Sequence, residues 1–418
     1  MATILAYGSP SLGHVYPMGA LLSQLAWRGH EVHVRTMSSE VAVMRQVGVH
    51  AEPVAPRIEA IASQDWLGRN ALDVLKMSIE VLCRRAVFEV EDARGAIEDV
   101  RPDAVVVDAN CWGAMSAVDA GDVPWAIFSP FTPYLQARDV PPFGPGLRPL
   151  PGMRGRIRDR VMRRFVAHLF DRPVLPRINA IRAQLEIPPV NAVDQLIRRA
   201  PLLLAVGGEP FEYPCREWAD FVHFVGACSF EPPSEPMPAW LEGIDRPVVL
   251  VNTSSIRQAD RALAVAAMQA LADEPLHVVV TFPAGVPAGL RPTPNATVCR
   301  FVPHGPLLDR AVCAITHGGM GSTVRALERG VPVCAVPFAR DQPEVARRVE
   351  VAGCGTRLPA KRLTVGRLKA AVLRAITMTD GARRVAEGFV ATGGVQRGAD
   401  LVEQEVLRCG IQPASRDW

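Results

Sequence analysis

The stretch Thr316-His317-Gly318-Gly319-Met320-Gly321-Ser322-Thr323 packs a histidine, glycines and hydroxyls between an apolar run and a helical pattern. The apolar run is Ala311 to Ile315. The helical pattern runs from Val324 to Arg329 and is stopped by Gly330 and Pro332. Strand, glycine-rich turn and helix start make an anion site. Glycines let the backbone approach a ligand, and the unpaired N–H groups at the helix start favour negative charge. A histidine and hydroxyls added to such a turn suit a diphosphate. Asp341-Gln342 follow downstream. No Asp-x-Asp occurs anywhere in the chain, so the expected chemistry does not use a metal-chelated diphosphate.

A second group with chemical potential lies near the N-terminus. Gly13-His14 with Pro17 follows the strand-like run Thr3 to Tyr7, and Asp108 ends another buried run, Ala104 to Val107. In an open parallel sheet, ligands bind beyond the carboxyl ends of the strands. Both side chains are therefore expected in one crevice, with His14 in the loop after its strand. A histidine oriented by a carboxylate removes a proton from a hydroxyl near neutral pH. Asp103 and Asp119 are the competing acids, and Asp103 enters its strand at the far end. The turn Gly8-Ser9-Pro10-Ser11-Leu12-Gly13 is not a dinucleotide fingerprint, because proline stands where the second glycine belongs. The second strand, ending in Arg35-Thr36, also lacks the acid that would hold a ribose.

Positioning these groups requires two sheets. At 418 residues the chain suggests two domains. Its 49% hydrophobic and 21% charged residues describe a globular protein with sizeable cores. Strand-like and helix-like segments alternate, as in an open parallel sheet. In the first half the strand runs begin at Thr3, Glu31, Ala104, Trp125 and Leu202, the last closing that half. A helix is expected from about Tyr16 to Arg28. The proline-rich segment Glu231 to Pro238 reads as a linker. Strands then resume at Pro247 and His277. The net charge of +3 gives no argument for nucleic acid. Nine scattered cysteines without a C-x-x-C pair indicate neither a disulfide framework nor a zinc site, which suits a reducing cytoplasm. The chain enters its first strand directly, leaving no room for a signal peptide, and no run of about 18 apolar residues appears.

Phe301-Val302-Pro303-His304, His317-Gly318-Gly319, Gly330-Val331-Pro332, Pro337 and Asp341-Gln342 together resemble the donor-binding signature of family 1 glycosyltransferases. The resemblance implies an α/β GT-B fold: two Rossmann-like domains whose parallel sheets face each other across a cleft. The expected boundaries are 1–228 for an acceptor domain carrying the base, 229–245 for the linker and 246–395 for the donor domain. Residues 396–418 are then a last helix returning to the first domain. Gly13-His14 with Pro17 resembles the family's general-base loop, and Asp108 its acidic partner. By the same resemblance the donor site comprises Ser255, Phe301, Val302, His304, His317, Gly318, Gly319, Gly321, Ser322, Asp341 and Gln342. Phe301 stands where many relatives stack a tryptophan on the nucleobase, and Asp341 and Gln342 where they bind sugar hydroxyls. Arg325 departs from the glutamate that plant members use for the ribose, and either reaches the diphosphate or faces solvent. The turn Asn252 to Ser255 lacks the glycine of many relatives.

The acceptor pocket is expected from loops of the first half, with Trp66, Trp112, Phe131 and Tyr134 as apolar walls suited to a polyketide, macrolide, phenolic or lipid. Arginines from Arg148 to Arg164, diluted by Asp159 and Asp171, form either a solvated helix face or a weak contact to anionic membrane. The reading is an inverting, metal-independent enzyme without cofactor. It transfers a hexose or deoxyhexose from a UDP- or dTDP-sugar to an acceptor hydroxyl. The alternatives are a non-catalytic nucleotide-sugar-binding helper and another GT-B reaction such as epimerisation. Retention of both His14 and Asp108 argues against the helper, and the Gly-His-x-x-Pro loop against epimerisation.

Overall fold

The computed structural model describes residues 1–231, 238–254 and 261–407. The first sheet contains β1 (Thr3–Tyr7), β2 (Glu31–Thr36), β3 (His50–Pro53), β4 (Ala104–Asp108), β5 (Trp125–Ser129), β6 (Leu203–Ala205) and β7 (Val222–Phe224). Its order is β3-β2-β1-β4-β5-β6-β7, every pair parallel. The second contains β8 (Val248–Asn252), β9 (His277–Thr281), β10 (Ala296–Cys299), β11 (Ala311–Thr316), β12 (Val333–Ala335) and β13 (Gly355–Arg357). Its order is β10-β9-β8-β11-β12-β13, again parallel throughout. The two sheets have the GT-B plan.

Helices cover both faces of each sheet, so the central strands are apolar on both sides. Val105, Val106 and Val107 are all buried, as are Val249, Leu250 and Val251. Close approach is secured at Gly113. A Cβ there would lie 1.9 Å from the Ala86 carbonyl oxygen, so only glycine lets the helix Trp112–Asp119 sit against the long helix Ala71–Val100.

Three sequence expectations are corrected. The first helix spans Leu12–Trp27, so His14 lies in its first turn and not in a preceding loop. The helix starts four residues before the expected Tyr16 and carries Pro17 inside its N-terminal part. The first sheet does not close at β6, because β7 adds an edge beyond it. The helix after β11 begins at Met320, which brings Gly321 and Ser322 into its first turn.

The described C-terminal elements, Gly394–Leu401 and the π-helical turn Val402–Leu407, return to the first helix. Gly398 packs near Leu21 and Val225, while Arg28 pairs with Asp400 at 2.7 Å and Glu403 at 3.1 Å. Among the described residues every cysteine is a free thiol, and no helix is long and apolar enough to cross a membrane.

Candidate active site

The order of the first sheet reverses direction between β1 and β4, opening a crevice beyond their carboxyl ends. The helix after β1 presents His14 there, and β4 ends in Asp108. Nδ1 of His14 lies 3.0 and 2.9 Å from the two carboxylate oxygens of Asp108. Asp108 has no exposed surface and also accepts a hydrogen bond from the Asn110 amide at 2.8 Å. A buried carboxylate facing Nδ1 holds the proton on that nitrogen, leaving the Nε2 lone pair for incoming chemistry. The Asn110 side-chain amide approaches Nε2 at 3.4 Å, and the Phe131 ring lies 5.7 Å from the imidazole.

A second carboxyl lies behind the dyad. Glu89 is fully buried and accepts from the Gly113 amide at 2.9 Å. Burial first, and the nearby Asp108 charge with it, push this carboxyl up to about 8. Glu89 is therefore largely protonated at neutral pH. Asn110 and Glu89 carry no sequence signal that would have singled them out.

The second sheet reverses between β8 and β11, and His317 follows β11 into the facing crevice. Gly318 has φ +82°, a conformation natural to glycine, and its amide donates to Thr316 Oγ1 at 3.1 Å. Gly319 caps the helix Met320–Glu328, whose first amides have no helical acceptor. Ser322 Oγ donates to the Gly319 carbonyl at 3.1 Å. A side chain built at Gly321 would meet nothing within 4 Å, so the space before this turn is open.

The histidines here are neutral. Burial pushes His317 down to about 4, against the pull of the nearby Asn252 carbonyl. Its Nδ1 makes no well-aligned hydrogen bond. Burial and then the Arg325 charge push His304 down to about 3, with Thr281 Oγ1 at 3.4 Å.

The other donor residues divide. Phe301 is 55% exposed and free to stack, whereas Val302 is wholly buried and supports the loop from below. Asp341 caps the helix Gln342–Val351, and burial raises its carboxyl despite its own backbone amide, Arg340 and His14. The helix that carries His14 touches the helix Met320–Glu328, which brings the two crevices together. Gln342 is buried, and its Oε1 accepts from the Phe338 and Ala339 amides at 2.8 and 3.0 Å. Its carbonyl is thus committed to shaping the loop. Ser255 lies outside the described residues. Arg325 is half-buried and donates to the Phe230 carbonyl at 2.9 Å.

Of the expected acceptor walls, Phe131 and Trp66 are partly exposed, Trp66 at 37%. Trp112 is corrected to a core residue, since it is buried edge-on against Phe170. Tyr134 is likewise corrected to a core residue, buried and stacked on the same ring at 4.2 Å.

Known proteins resemble this chain in sequence and fold. Residues 265–396 match the family described as erythromycin biosynthesis protein CIII-like, C-terminal domain. The 4'-demethylrebeccamycin synthase of Lentzea aerocolonigenes is 30% identical, over 96% of this chain and 99% of that protein. The chain belongs to the family 1 glycosyltransferases, among the natural-product members. The demethyllactenocin mycarosyltransferase of Streptomyces fradiae is 25% identical, over 96% of this chain and 86% of its own length. The crystal structure of the kitacinnamycin glycosyltransferase superposes with a TM-score of 0.76 at 22% identity, covering 97% of this chain and 99% of that one.

In this glycosyltransferase the two crevices are tied by charges that sequence reading did not find. Arg340 forms two bonds of 2.6 Å with Asp65, beside Trp66. Glu344 Oε1 accepts from the Gly144 and Gly146 amides at 2.8 and 2.6 Å. Arg348 bridges Glu344 at 2.9 Å and Glu212 at 2.7 Å, and Thr132 donates to Glu212 at 2.7 Å. The loops of the first domain that carry Gly144, Gly146 and Glu212 are thereby hung on the helix Gln342–Val351. Among the described residues no group of three or more histidines, cysteines or acids is placed to hold a metal ion.

Proposed function

We propose that this glycosyltransferase moves a hexose or deoxyhexose from a UDP- or dTDP-sugar to a hydroxyl of a hydrophobic small molecule, inverting the anomeric centre without a metal. The observation that carries the reading is the His14–Asp108 pair facing an open, glycine-lined helix start across the cleft. His14 Nε2 takes the acceptor proton as the hydroxyl oxygen attacks the anomeric carbon. Asp108 stabilises the imidazolium that forms.

The departing nucleoside diphosphate needs its developing charge met. The amides at the start of the helix Met320–Glu328 and the Ser322 hydroxyl are suited to this, with His317 alongside. Kept neutral by burial, His317 can donate a hydrogen bond and gains a proton more readily beside a diphosphate. Attack opposite the leaving group inverts the centre and needs no carboxylate nucleophile. Phe301 is suited to the nucleobase and Asp341 to a sugar hydroxyl. A mycarosyltransferase among the relatives supports sugar transfer to a small molecule. The partly exposed rings of Phe131 and Trp66 support an apolar acceptor.

The test is an acceptor panel of macrolide, polyketide, phenolic and lipid hydroxyls incubated with UDP- and dTDP-sugars in EDTA, read by mass spectrometry and NMR. The expected product carries one added sugar with the anomeric configuration opposite to the donor's. Product that forms only with added divalent metal, or with configuration retained, contradicts the proposal.

A further inference from the structure

The helix Gly152–Gln184 carries an exposed apolar stripe that the catalytic reading does not use. Met153, Ile157, Val161 and Phe165 recur every fourth residue, and with Leu150 before them they are 47–69% exposed. At about 100° per residue the four helical side chains sweep about 120° of the circumference. Arg156, Arg160 and Arg164 fill the arc beside them and are exposed too, as is Arg154. Gly155 and Asp159 face the protein. Asp159, the one acid between residues 148 and 170, is buried and paired with Arg158 at 2.7 Å. The outward face is therefore apolar and cationic, with no compensating negative charge of its own.

We propose that this face docks on the surface of an anionic lipid bilayer. A helix lying in the interface buries its apolar arc at the acyl boundary, while flanking arginines reach the headgroups. The charge selects this occupant. A second copy joined through the same face would set arginines against arginines, whereas an anionic surface complements them.

The same helix holds the loop leading to the acceptor side. Arg163 donates to the Ala137 and Val140 carbonyls, and Gly155 leaves room for the Leu150 carbonyl, which a Cβ would meet at 1.9 Å. Gly144 and Gly146 of that loop are the groups bound by Glu344. Docking would therefore bring the cleft beside the membrane, where an apolar acceptor dissolves. The docking itself stands apart from the transferase reading, and only this use of it rests there.

The test is co-sedimentation of the full chain with vesicles of phosphatidylcholine alone, or with an equal share of phosphatidylglycerol, at low and high salt. The wild-type chain is expected to pellet with the anionic vesicles at low salt and to be released by salt or by neutral lipid. Each arginine near such a surface changes partitioning about fivefold. Arg156→Gln, Arg160→Gln and Arg164→Gln together therefore weaken it about a hundredfold, and Ile157→Ser with Phe165→Ser also weakens it. Because these side chains are exposed, the variants should keep the wild-type melting temperature and nucleotide binding. Failure to pellet with anionic vesicles at low salt overturns the proposal. So does equal pelleting by the folded variants, or a wild-type dimer that the serine variant converts to monomer.

Discussion

Replacing His14 with alanine is expected to lower the rate constant for sugar transfer by about a hundredfold to ten-thousandfold, the range for loss of a positioned general base. Nucleotide-sugar affinity should stay near wild type, because the proposed donor residues belong to the opposite domain and, among the described residues, the group that approaches His14 Nε2 is the Asn110 amide of its own domain. Asp108→Asn should approach the same loss. An amide in place of the buried carboxylate can donate to Nδ1, turning the imidazole to the tautomer whose Nε2 already carries a proton. The two changes together should cost little more than either alone, since the pair acts as one unit. Steady-state rates at saturating donor, with affinity measured separately by calorimetry, check this. A His14→Ala enzyme with kcat close to wild type would remove the base from the mechanism.

Arg348→Ala is expected to be the most damaging single change to stability outside the apolar cores. Burial works against the Arg348 charge, but Glu212 and Glu344 outweigh it and hold the guanidinium further above its ordinary range. All three side chains are buried. Removing the cation leaves two carboxylates facing each other without solvent, a loss of about 3–5 kcal/mol. It also frees Glu344 from the geometry in which it holds Gly144 and Gly146. Denaturant unfolding should show the loss, and the acceptor KM should rise in whatever fraction stays folded. Arg348→Met combined with Glu212→Gln and Glu344→Gln should recover much of the stability, because no unpaired charge remains. A single alanine variant as stable as wild type would mean that the triad contributes nothing to holding the loop.

The alternation of apolar runs and helical patterns is enough to place β1, β2, β4, β5, β6, β8, β9 and β11, because each is a short apolar or alternating run bounded by turn residues. The short edge strands were not legible. His50–Pro53 and Gly355–Arg357 are too brief and polar to stand out, and exist because a neighbour supplies the ladder. The His14–Asp108 meeting could be anticipated because strand ends share one side of a parallel sheet. The Asp65–Arg340 and Glu212–Arg348 pairs could not, since each joins residues remote in sequence whose types are common on any surface. Trp112 differs from expectation for a related reason: an aromatic close to a candidate catalytic aspartate looks the same in sequence whether it lines a pocket or fills the core.

The donor site is the claim on which the rest depends, and nucleotide binding tests it most directly. The measurement is the change in melting temperature with UDP, dTDP and a panel of their sugars, with and without EDTA. A ligand that binds only the folded chain, present at 100 times its Kd, adds about 2.7 kcal/mol of stability. One nucleotide should raise the melting temperature, with the same rise in EDTA, and Gly321→Phe should abolish it by filling the open space before the helix. No shift with any nucleotide at saturating concentration, or a shift that EDTA removes, would contradict the account.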